Sequence, residues 1–77
     1  DIKKYLSIPQ EIMAFAVQSI REFQANGFTK NQILNQIIQP KSAGEVKSDI
    51  FHTYLYFFDV NSPQFKRFLK YMYEYIQ

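Results

Sequence analysis

His52 is the only histidine in a chain that has no cysteine. Its nearest acidic neighbours in sequence are Asp49 and Asp59. On a helix Asp49 lies three residues back on the same face, so an imidazole–carboxylate pair is within reach. Such a pair can orient a proton, but it has no nucleophile to activate. A zinc site needs three or four ligands drawn from His, Cys and carboxylates, and one His without Cys falls short of the usual set. Paired carboxylates for glycosidic chemistry must converge on a cleft, with one of them raised in pKa. Helical periodicity instead sends the acids of this chain outward. Gly27 and Gly44 stand alone, so no glycine-rich phosphate loop is present. The expectation is a protein that is not an enzyme, with no cofactor and no metal.

The other unusual resource is aromatic. Eight phenylalanines and six tyrosines make up 18% of the chain. Helical spacing assigns Phe23, Phe51, Tyr54, Phe57, Phe58, Phe65 and Phe68 to a core, together with Tyr5 and Phe28. Five rings remain: Phe15, Tyr56, Tyr71, Tyr73 and Tyr75. Phe15 sits off the main apolar stripe, beside Ser19 and Glu22. Tyr56 shares the polar side of its segment with His52 and Asp59. In "KYMYEYIQ", Tyr71, Tyr73 and Tyr75 cannot all face inward, because Tyr71 and Tyr73 flank the Met72 stripe on opposite sides. A single tyrosine at a core edge, hydroxyl in water, is ordinary. A surplus of them points to an aromatic-lined protein interface or a homodimer seam, with Phe15, Tyr56, Tyr71 and Tyr75 as its residues. The matching roles are inhibitor, immunity or antitoxin-like factor, adaptor, or small regulatory subunit.

These side chains need elements to hold them. The 77 residues allow one domain, 1–77. A chain of that size buries only about 60% of its unfolded surface, so the core must be used efficiently. A hydrophobic content of 47% makes that feasible and argues against disorder. Four capping boxes punctuate the chain: Ser7–Gln10 with Pro9 in the first turn, Thr29–Gln32, Ser42–Glu45 and Asn61–Gln64. From Pro9 to Asn26, residues Ile12, Met13, Ala16, Val17, Ile20 and Phe23 form one stripe at helical period. Gly27 is placed to end that helix in the left-handed conformation. Ile33, Leu34, Ile37 and Ile38 form a second stripe, which Pro40 stops. Ile2, Tyr5 and Leu6 share a face in a short opening turn.

The segment "DIFHTYLYFFDV" has strand-like composition, but Leu55-Tyr56-Phe57-Phe58 does not alternate. On a helix Val46, Ile50, Phe51, Tyr54, Phe57 and Phe58 share one side, and Glu45, Asp49, His52, Tyr56 and Asp59 the other. In the last segment Phe65, Phe68, Leu69, Met72 and Ile76 face inward, and Lys66, Arg67, Lys70 and Glu74 outward. The predicted fold is all-α: a compact domain of four short helices plus an N-terminal helical turn, in orthogonal or bundle-like packing.

The stretch "ANGFTKNQILNQII" raises an alternative. A helix, a glycine turn and a capped helix with Asn31, Gln32, Asn35 and Gln39 outward resemble in outline the helix-turn-helix of bacterial repressors. Gly27, Phe28, Thr29 and Ile33 fit that pattern, and the resemblance covers about twenty residues of the candidate unit 9–39. It implies a DNA-binding regulator in which the amides read adenine, while Lys30, Lys66, Arg67 and Lys70 meet phosphates. The sequence departs from the pattern where Phe23 replaces a small residue, Asn26 and Gln36 replace apolar ones, and Glu22 replaces an aliphatic one.

Net charge is +2 and the pI about 8.9, mildly basic rather than the dense field of a nucleic-acid arm. The longest apolar run, Tyr54 to Phe58, is too short to span a bilayer. No secretory leader pattern opens the chain. With the lack of cysteine this favours the cytoplasm. Another protein, or a second copy, is the expected partner.

Overall fold

A computed structural model describes residues 1–40 and 47–77. In chain order it has α1 (Ile2–Leu6), α2 (Pro9–Ala25), α3 (Lys30–Ile38), α4 (Asp49–Phe57) and α5 (Pro63–Ile76), with no strand among the described residues. The segment with strand-like composition is therefore helical. The Ser42–Glu45 capping box and Val46 lie outside the described residues.

Local chemistry explains most of the boundaries, with two corrections to the expected caps. Thr29 and Gln32 form the full reciprocal box: Gln32 N–H donates to Thr29 Oγ1 at 3.2 Å, and Thr29 N–H to Gln32 Oε1 at 2.7 Å. The first expected box does not form. Ile8 occupies the cap position without a side-chain bond, because Ser7 closes α1 in a helical conformation and donates to Lys3 O. Pro9 does open α2. At α5 the cap is Ser62, one residue later than expected, accepting from Phe65 N–H. The Asp59 carboxylate holds Asn61 N–H in the preceding turn.

The end of α2 is a Schellman motif. Phe28 N–H donates to Phe23 O and Gly27 N–H to Gln24 O, both at 3.0 Å. Gly27 takes φ +86°, and the accompanying apolar contact is the Phe23–Phe28 ring pair at 5.1 Å.

The domain is organised around α2, against which α5, α4 and α1 pack, while α3 leans on α5. Ile12, Ala16, Ile20 and Phe23 of α2 are fully buried, as are Ile33, Phe51, Tyr54, Phe65, Phe68 and Met72. Four residues of the expected apolar faces depart from expectation, Ile2 among them at 63% exposed. Met13 and Ile38 are exposed, Ile38 by 73%, and Tyr5 is 51% exposed rather than in the core. Met13 lies at the edge of the apolar arc, and Ile38 ends α3. The centre of the core is aromatic. Tyr54 stacks on Phe68 with centroids 4.0 Å apart and rings 5° from parallel. Phe51 meets Phe23, Phe65 and Phe68 at 5.5–6.0 Å. Tyr54 also donates its hydroxyl to Leu6 O at 2.8 Å, tying α1 to α4.

A polar junction fixes α4 on α2. Ser48 caps α4, accepting from Phe51 N–H at 3.0 Å, and donates to Glu22 Oε1 at 2.7 Å. Its single proton is thereby used, so the 3.0 Å bond to buried Ser19 must run from Ser19 to Ser48. The same Glu22 oxygen accepts from Ile50 N–H at 3.1 Å. Asn26 Nδ2 bridges Glu22 O and Lys47 O. Glu22 is thus turned inward to the positive end of α4, not outward as periodicity alone suggested.

Ser48→Ala strands the Ser19 hydroxyl and the Phe51 N–H and is expected to cost about 2 kcal/mol in urea unfolding; an unchanged midpoint would show the junction to be dispensable. Gly27→Ala meets no steric obstacle, since nothing lies within 4 Å of the added carbon. Its cost should be conformational alone, about 1 kcal/mol in the same assay, and a neutral result would contradict the left-handed cap.

Candidate interaction surfaces

Because α4 commits Phe51 and Tyr54 to the core, and Phe58 just past its end, His52 and Tyr56 face away, while Leu55 and Phe57 are partly buried against the core. His52, Thr53, Tyr56 and Phe57 line a shallow depression of about 230 Å³. Tyr56 is 78% exposed, the most exposed large hydrophobic residue among those described. Its ring stands edge-on to half-buried Phe57, centroids 4.9 Å apart at 87°. The local result is an aromatic ledge with one imidazole beside it.

The other aromatic candidates fare differently. Phe15 is half-buried between Tyr5 at 6.0 Å and Tyr54 at 6.2 Å, so its ring is used inside the fold. Tyr71 is half-buried against the core. Tyr75 is 46% exposed near the end of α5. The four candidates therefore do not form one patch through Phe15. Phe57, assigned to the core by periodicity, does pack against it, but it is only partly buried and its ring also adjoins Tyr56. Periodicity missed Tyr73, which stands on the exposed side of α5.

The amide and basic candidates are all exposed: Lys30, Asn31, Gln32 and Asn35 on α3, and Lys66, Arg67 and Lys70 on α5. Gln32 already spends its carbonyl oxygen on the Thr29 cap. Phe23 is fully buried against Phe28 and Phe51 at the point where a repressor-type motif has a small residue.

Asp49 and His52 are both exposed. Among the described residues no group of His and carboxylates could hold a metal ion, and no helix is long and apolar enough to cross a membrane. A second depression, of about 300 Å³, is bordered by Glu22, Asn26, Lys47 and Asp49. Its Glu22 oxygen is already occupied by the α4 junction.

Two tyrosines carry raised pKa values. Burial, then the Glu11 carboxylate and Tyr5, push the Tyr54 phenol well above the usual range. Its hydrogen bond from Tyr5, and then its charge, make Glu11 the main cause of the rise at Tyr5. An unfolded tyrosine ionises near pH 10 while native Tyr54 stays protonated, so stability should be intact below pH 10 and fall above it. The limiting slope is about 1.4 kcal/mol per pH unit for that one group. Urea titrations from pH 9 to 11.5 should show Tyr54→Phe less stable at neutral pH yet less sensitive to alkali; parallel curves for the two proteins would refute the assignment. No family model, curated protein or solved structure matches this chain.

Proposed function

We propose that this domain is a non-catalytic protein-binding module that engages its partner through the outer face of α4. The observation that carries the reading is Tyr56, 78% exposed beside an apolar depression. A tyrosine buries a large area with few torsions to fix, and such residues dominate the energetics of many interfaces. Phe57 backs the ring edge-on, and a contact of that kind favours the ring geometry needed for docking. His52 and Thr53 border the ledge with polar groups that set orientation. Met13 and Tyr75 are scattered exposed residues of the kind any monomer carries. The roles that fit are adaptor, inhibitor, immunity or antitoxin-like factor, or small regulatory subunit, with a second copy of the chain among the partners.

The helix-turn-helix alternative has weaker support. In that motif the second helix crosses closely over the first, whereas here α3 leans on α5 and the Phe23 ring fills the space near the turn.

A photoreactive phenylalanine analogue at position 56 should form adducts with another polypeptide, or with a second copy, more often than the same analogue at exposed Gln18. With that partner in hand, Tyr56→Ala should weaken binding by about 30-fold, the effect of a hot-spot residue worth about 2 kcal/mol. Equal adduct yields at the two positions would reject the α4 face.

A further inference from the structure

We infer that the α3–α5 side of the domain binds the phosphodiester backbone of nucleic acid without reading sequence. The argument is independent of the α4 face and rests on how charge is divided between the elements. Helix α3 has no carboxylate, and α5 has only Glu74. Against that single acid stand Lys30, Lys66, Arg67 and Lys70, all exposed. These two helices therefore carry a net +3, although the whole chain carries +2. The remainder, with five cations and six acids, is net −1. Helices α3 and α5 also pack against each other, so the two stretches of net positive charge are neighbours in the fold.

The placement within each helix adds to the field. Neither helix has an acid in its first turn, where a carboxylate would be stabilising. Lys30 opens α3, and Lys66 and Arg67 follow within the second turn of α5. Positive side chains thus sit toward the positive helix ends, an arrangement that favours an anionic ligand over the free protein.

Lys66, Lys70 and Tyr73 fall at i, i+4 and i+7, a single line about 10 Å long on the outer face of α5. Tyr73 is half exposed. A ring in line with two ammonium groups provides stacking beside phosphate contacts, the combination used for single strands. Asn31 and Asn35 add neutral hydrogen-bonding groups on α3. An anionic bilayer fits less well, because an interfacial helix must present its apolar face to lipid. The apolar face of α5 is already consumed, with Phe65, Phe68 and Met72 fully buried.

The test is a salt titration of the 77-residue chain with oligo-dT and with a DNA duplex, using vesicles containing phosphatidylglycerol as a third arm. Four phosphate contacts predict a log–log slope of about −3 for the single strand and about −3.6 for the duplex. Lys30→Gln/Lys66→Gln/Lys70→Gln should reduce the single-strand slope to about −0.7, whereas Lys4→Gln/Arg21→Gln/Lys47→Gln, with the same change in net charge, should leave it near −3. Tyr73→Ala should weaken single-strand binding about tenfold and leave the duplex unchanged, which separates the two nucleic-acid forms. Thermal unfolding of each variant checks that the fold is retained. Equal slopes for the two triple variants, binding to vesicles but not to DNA, or no DNA binding at the lowest salt would each overturn the inference.

Discussion

The position of α4 depends on how a single hydroxyl is shared. Ser48 has one proton and two lone pairs, and all three are used, by Glu22, Phe51 N–H and Ser19. Two of those partners belong to α2 and the third to the first turn of α4, so the start of α4 is located on α2 by directional bonds rather than by apolar contact alone. Once that end is placed, Phe51 falls between Phe23 and Phe65, and Tyr54 falls on Phe68. Aromatic packing tolerates several offset geometries. The polar junction selects one of them. The outward direction of His52 and Tyr56 is a consequence of the same placement.

Much of the architecture was legible in the sequence because it rests on short-range chemistry. The Gly27 terminator, the Thr29–Gln32 box and the apolar stripe of α2 each involve residues within a turn or two of one another. The failures are also physical. Ser7 could cap α2 or close α1, and it does the latter because its hydroxyl reaches Lys3 O. Glu22 looked like a solvated acid, since nothing in its own helix reveals that a helix end, more than twenty residues away in sequence, comes to rest on it. Ser19 sits in the apolar face of α2 for the same reason, being half of a bond whose other half lies far along the chain.

The candidate surface was read less completely. Tyr56 was visible as a ring on a polar face, and the structure leaves it exposed. Phe15 looked like surplus because it lies off the α2 stripe, but that flank is where α1 and α4 arrive, and their tyrosines enclose it. Phe57 was assigned to the core because its angle on α4 points that way, yet α4 ends at Phe57 and the ring is only partly covered. Periodicity identifies a face. It does not say where a neighbouring helix stops covering it.

The tie between Tyr54 and Leu6 has a bearing on the order in which the domain comes apart. It joins positions 48 residues apart, while the Schellman turn and the Thr29 box close over a few residues. Helix α1 is only five residues long and presents a single buried side chain, Leu6, to the body of the protein. Beyond that it has the Tyr54 bond, the Tyr5–Glu11 bond, the Tyr5 ring edge-on to half-buried Phe15 and the Lys3 ammonium 5.7 Å from the Phe58 ring. Its detachment therefore exposes little apolar surface and lies at the low-energy end of local opening. In hydrogen exchange the amides of α1 are expected to form a unit that opens before those of α2 beneath it.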